Sequence, residues 1–122
     1  MAAYTTIDDS GLFFNTKLYT GTGSSNAVTG VGFQPDWVWF KNRAATTHNT
    51  LFDAVRGANK VIYANLDAIQ YTVTQELKSF DSDGFTVGTE TAENGNGNAI
   101  ASWNWKANGS GSSNTDGSIN TI

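Results

Sequence analysis

Gly32-Phe33-Gln34-Pro35-Asp36-Trp37-Val38-Trp39-Phe40-Lys41-Asn42-Arg43 is the stretch from which the fold of this chain is read. It holds the only proline and two of the four tryptophans. Pro35 fixes its own φ and pushes Gln34 into an extended conformation, so the backbone enters Trp37 already stretched. A strand here points Trp37 and Trp39 to one face and Val38 and Phe40 to the other. Both faces are apolar, which predicts a strand buried on both sides in the middle of a sheet or sandwich. Lys41, Asn42 and Arg43 return the chain to water. On this reading Trp39→Ala costs about 3–5 kcal/mol.

The flanking sequence supplies short strands between turn signals. Before the central stretch, Asp8-Asp9-Ser10-Gly11 is a turn, and Leu12–Phe14 with Lys17–Tyr19 predicts one bent strand or two short ones. Ala27–Val31 follows a Gly/Ser turn. After the central stretch, Ala44–Asn49 is a polar loop with the only histidine, His48. Thr50–Val55, Lys60–Ala64 and Phe85–Gly88 are strand candidates. Residues 66–75 admit two readings, a helical turn through Leu66, Ile69 and Val73 or a strand through Tyr71–Thr74. Glu93–Asn98 carries two Asn-Gly pairs, a strong hairpin signal. In Ala99–Lys106 the alternation predicts Ala101, Trp103 and Trp105 buried, with Ser102, Asn104 and Lys106 in water. The expected fold is therefore all-β, an antiparallel β-sandwich over residues 1–107 with little helix. Trp37, Trp39, Trp103 and Trp105 are its expected aromatic core. Residues 108–122 are Gly/Ser/Asn-rich and read as a linker or C-terminal extension, either ending a fragment or pairing with a partner.

Composition narrows the function classes. At 122 residues the chain is one domain at most. Its seven Lys and Arg are scattered and its net charge is -4, which argues against nucleic acid as a partner. With no cysteine there are no disulfides, zinc-thiolate sites or thiol catalysis. No apolar run exceeds four residues, so no membrane insertion is expected, and the N-terminus has no signal-peptide pattern. Release by lysis is the expected route if the chain acts outside a cell. Gly, Ser, Thr and Asn in place of charge favour turns and neutral β-surfaces.

The central stretch, Leu51-Phe52-Asp53-Ala54-Val55-Arg56-Gly57, Ser79–Gly88 and Trp103-Asn104-Trp105-Lys106-Ala107, with Tyr19–Gly23 before them, together resemble a β-sandwich module of tailed bacteriophages. That module is common in marine phages, occurs in virion-associated, tail-fibre-like proteins, and is similar to concanavalin/laminin-G lectin sandwiches, jelly-roll in type. The resemblance covers roughly residues 1–110 and implies a location more than a mechanism. Relatives often carry a cysteine where this chain has Asn104, and often continue into further β-modules.

No catalytic residues are expected. Glu90 and Glu93 form a carboxylate pair, but in a Gly/Asn loop, where solvated charge is the ordinary explanation. His48 is the only base available to a triad and has no Gly-x-Ser-x-Gly elbow, so it reads as a loop residue. Asp81-Ser82-Asp83-Gly84 has the look of a calcium loop without the later glutamate; a β-turn is the simpler reading, with Asp81 and Asp83 as weak calcium candidates and no other cofactor. Asp53 and Arg56 predict a salt bridge or backbone bonds at a sharp turn. With Lys41 and Arg43 they are a candidate interface, a polar cluster at one edge of the sandwich. Asn94, Asn96 and Asn98 are a candidate glycan-contact loop. The expected function is a non-enzymatic virion structural protein, a tail, fibre or surface-decorating component that assembles with copies of itself and other virion proteins. The alternative is a carbohydrate-binding module that attaches a particle to host-surface polysaccharide.

Overall fold

Pro35 delivers the chain into β3 (Trp37–Asn42) as its sequence requires, and β3 sits inside the larger of two sheets. The computed structural model describes residues 9–107. One 3₁₀ turn, Ser10–Leu12, is capped by the Asp9 side chain, which accepts from Gly11 N. Then follow β1 (Phe14–Thr20), β2 (Asn26–Thr29), β3, β4 (Thr50–Asp53), β5 (Lys60–Tyr63), β6 (Tyr71–Thr72), β7 (Leu77–Asp81), β8 (Gly84–Val87), the one-turn helix α1 (Thr91–Asn94) and β9 (Ala99–Trp105). The six-stranded sheet has the order β1-β9-β3-β4-β5-β6, and the three-stranded sheet β2-β8-β7. Every pairing is antiparallel. The expected all-β sandwich with little helix is the fold.

The interior lies between the two sheets. Val38 and Phe40 of β3, Phe52 of β4, Val61 of β5 and Ile100 of β9 meet Phe85 and Val87 of β8, all of them fully buried. Phe40 packs edge-on against both Phe52 and Phe85, at 6.0 and 5.0 Å between centroids. Aromatic edge-to-face contacts add to the burial of these rings. The β7–β8 hairpin lies close under β2. A side chain at Gly84, where φ is +155°, would strike the Val28 carbonyl, so only glycine lets these backbones approach.

Several local expectations change. Residues 66–75 form no helical turn; Tyr71–Thr72 is a short edge strand beside β5. Leu77–Asp81 is a further strand, with an irregularity in its pairing to β8 between Leu77 and Ser79. The Asn-Gly pairs do not make a hairpin, because β8 and β9 belong to different sheets. The connection crosses between the sheets through α1, and Gly97, with φ at 76°, takes the tight turn.

The largest correction concerns the tryptophans. Trp37 and Trp39 are 42% and 36% exposed, and Trp103 and Trp105 are partly exposed, so these four are not the core. In β9 Ala101 is buried and Lys106 exposed as expected, but Ser102 and Asn104, expected in water, are fully buried, and Trp103 and Trp105 are only partly so. The cause is that, among the described residues, the three-stranded sheet covers one side of the large sheet only. On that side Asn104 Nδ2 donates to Asn15 O at 3.1 Å and to Ser102 Oγ at 3.1 Å, and Ser102 Oγ donates to Lys17 O at 3.3 Å. Hydrogen bonds made inside offset most of the cost of burying these small polar side chains, with Asn104 Oδ1 left unpartnered, and the indoles take the open face. The linker reading of 108–122 lies outside the described residues.

Candidate functional site

The open face of the large sheet is an aromatic wall built by strand register. Phe14 of β1, Trp105 of β9 and Trp37 of β3 stand opposite one another in one row, ending on Asp53 of β4. The next row is Thr16, Trp103, Trp39, Leu51 and Ile62. Trp37 and Trp105 stack at 4.7 Å and 27°, Phe14 tilts against Trp105 at 5.1 Å, and Trp39 tilts against Trp103 at 6.0 Å. Between them Trp39, Trp103 and Trp105 line an almost wholly apolar cleft of about 240 Å³. Phe14 (38%) and Leu18 (60%) extend the apolar surface along β1.

The candidate interface residues do not form one cluster. Asp53 sits beside Trp37 at one end of β3, and Lys41 and Arg43 lie at the other end, because β3 and β4 run antiparallel. Asp53 does fix its turn: its Oδ1 accepts from Arg56 N at 2.8 Å, its Oδ2 pairs with Arg56 Nε, and its carbonyl accepts from Gly57 N. Lys41 points to the same face as Trp39, since the two are alternate residues of one strand.

The candidate glycan loop divides. Asn94 is fully buried and structural. Its Nδ2 donates to Ser24 O at 2.5 Å and Gly88 O at 2.6 Å, while its Oδ1 accepts from Thr22 N and Asn26 Nδ2. Asn96 is exposed and Asn98 half-buried. The weak calcium candidates are engaged as turn residues. Asp83 accepts from Gly30 N and Gly32 N at 3.0 and 2.6 Å, and these bonds hold its carboxyl below the usual range. Asp81 accepts from Ser79 Oγ and Thr86 Oγ1 at 2.7 Å each. Among the described residues no three His, Asp or Glu side chains converge as a metal site.

A second feature escaped the sequence. Glu93, expected to be solvated, is fully buried, because α1 turns it into the sandwich instead of out into the loop. Its Oε1 accepts from Thr50 Oγ1 at 2.5 Å, and its carbonyl accepts from Tyr19 Oη at 2.5 Å. Glu76, just before β7, is 7% exposed and faces Tyr63, whose Oη lies 3.4 Å from Glu76 Oε1. A cavity of about 290 Å³ opens here, lined by Thr46, Thr47, His48, Tyr63, Glu76, Glu90 and Ala92. Burial, then the charge of Glu76, pushes the Glu93 carboxyl up to about 8. Burial, then the charge of Glu90, pushes Glu76 up to about 7. Burial and Glu76 push the Tyr63 phenol up to about 12. Both carboxyls therefore favour a proton near neutrality. Only Glu90 and Glu93 hinted at this in the sequence; Thr50, Tyr63 and Glu76 come from separate elements that folding brings together.

Residues 9–122 match the family described as Domain of unknown function (DUF7483). No curated protein and no solved structure matches the chain.

Proposed function

The chain belongs to the DUF7483 family, and from that premise we propose that it is a non-enzymatic building block whose aromatic wall packs against a second copy of itself. The observation that carries this reading is the outward placement of Trp37, Trp39, Trp103 and Trp105 on a sheet face that no second layer covers among the described residues. A contiguous apolar face of this kind marks an interaction surface, and aromatic residues are the side chains that interfaces favour. The cleft among Trp39, Trp103 and Trp105 is nearly devoid of polar atoms, which suits another protein surface better than a hydroxyl-rich ligand.

The charges at the margins favour a copy as the occupant. A two-fold axis through the wall near Trp39 sets Lys41 of one copy over the Asp53 end of the other, since these residues flank Trp39 on opposite sides along β3. The resemblance to phage modules then supplies the setting: a tail, fibre or surface-decorating protein of a virion.

Size exclusion with light scattering tests the reading. The parent chain is expected as a dimer or larger ring, and Trp39→Lys as a monomer with an unchanged circular dichroism spectrum. A parent that stays monomeric at high concentration, or a variant of unchanged mass, overturns it. Mass spectrometry of purified phage particles tests the virion setting separately.

The exposed indole rings, rather than the polarity of the cleft, support a second reading, the carbohydrate-binding module. Indoles offer apolar faces to pyranose rings, and Trp39 and Trp103 line the cleft. On this reading the parent binds host-surface polysaccharide, and Trp103→Ala abolishes that binding.

A further inference from the structure

The cavity beside Tyr63 has more acceptors than donors. The Oε2 atoms of Glu76 and Glu93, Oγ1 of Thr47 and Oδ1 of Asn49 are all buried without a hydrogen-bond partner. Glu76 and Thr47 line the cavity itself. Glu93 stands behind it on Thr50, and Asn49 joins the lining residue His48 to Thr50. An amide oxygen only accepts, and once Glu76 and Glu93 are ionised their carboxylates only accept as well, so in that state Thr47 alone of these four groups can donate. Buried acceptors are normally satisfied, and such a set is satisfied by something that brings protons.

The remaining walls narrow what that is. No lysine or arginine lines the cavity, and the titratable groups facing it are Glu76, Glu90, Tyr63 and His48, with Glu93 behind. The rings of His48 and Tyr63 lie 5.1 Å apart and form an aromatic side, which attracts a cation through its π-faces. Asn65 Nδ2 lies 3.2 Å from His48 Nδ1. With the amide donating, the imidazole proton of the neutral ring sits on Nε2. A divalent metal would need three converging ligands, and the described residues offer no such group.

We propose that this cavity binds a small organic cation, a primary ammonium group carried on a short polar frame. The ammonium supplies three donors to oxygens that lack them, its charge is met by Glu76, Glu90 and Glu93, and its carbon frame rests on Tyr63 and His48. This site stands apart from the aromatic wall and does not depend on self-assembly through it.

The test is an amide-resolved NMR titration with ethanolamine, compared with ethylene glycol and with calcium. At about pH 8.5 the carboxyls are ionised and the amine still carries its proton. Ethanolamine is expected to shift the amides of Thr47, His48, Glu76 and Ala92. Its affinity is expected to exceed that of ethylene glycol by at least about tenfold, the scale of one charge-assisted hydrogen bond. Protonating the carboxyls at about pH 5.5 should weaken it by a similar factor. Glu76→Gln should lower affinity about tenfold while melting as a folded protein, and Glu93→Gln serves as the second variant should the first not fold. Equal binding of the glycol, absence of shifts at these amides, insensitivity to pH, or tighter binding of calcium at the same amides overturns the proposal.

Discussion

The indole of Trp37 lies on that of Trp105 with centroids 4.7 Å apart and planes 27° from parallel, on the face of the sheet that the three-stranded layer does not cover. The pair joins the two strands that carry the tryptophans, and with Phe14 it makes one aromatic row across β1, β9 and β3. Each ring is shielded on one side by its neighbour and open at its edge. That is how four tryptophans can be half-exposed without being unpacked.

Two adjacent residues of β3 separate the buried face from the open one. Phe40 is fully buried and Trp39 is 36% exposed. Phe40→Ala is expected to cost about 3–5 kcal/mol, because it leaves a cavity among Phe52 and Phe85. Trp39→Ala is expected to cost only about 1–2 kcal/mol, since part of its surface is already in water. Urea unfolding monitored by circular dichroism measures both, and equal losses would contradict the assignment of faces.

Asn94 and Asn96 make a similar contrast within one loop. Asn94→Ala removes five hydrogen bonds at a fully buried position and orphans their partners. A loss of about 2–4 kcal/mol is expected from calorimetry. Asn96 is exposed, and Asn96→Ala is expected within about 0.5 kcal/mol of the parent.

Glu76 and Glu93 should make stability fall as pH rises. Their folded pKa values, about 7 and about 8, lie above the ordinary glutamate value of 4.5. Between 4.5 and about 8 the folded protein therefore holds more protons than the unfolded chain, and stability declines across that window. It is fully present below 4.5 and lost as pH passes the folded values. The combined loss amounts to several kcal/mol, at about 1.4 kcal/mol for each pKa unit. Glu93→Gln should flatten the curve and melt higher than the parent above about pH 8, because an uncharged amide replaces a buried carboxylate. Thermal melts from acid to mildly alkaline pH measure this, and a parent more stable in alkali than in acid would contradict it.

Much of the fold was decided by sequence alone. Pro35 ahead of Trp37–Phe40 sets a central strand, and short alternating segments between glycine and asparagine turns set an antiparallel sandwich. Local backbone preference and a period of two are properties of neighbouring residues, so they survive being read one segment at a time. The Asp53–Arg56 turn is local in the same way. Period two says that Trp37 and Trp39 share a face, and that Trp103 and Trp105 share one; it does not say which face is covered. That was decided by tertiary structure, because the small sheet of β2, β8 and β7 packs on one side only and selects Val38, Phe40, Ser102 and Asn104 for the interior. The acidic cavity was equally out of reach. Thr50, Tyr63, Glu76 and Glu93 meet only after four separate elements have packed, and their shared burial, not their spacing, gives the carboxyls their character.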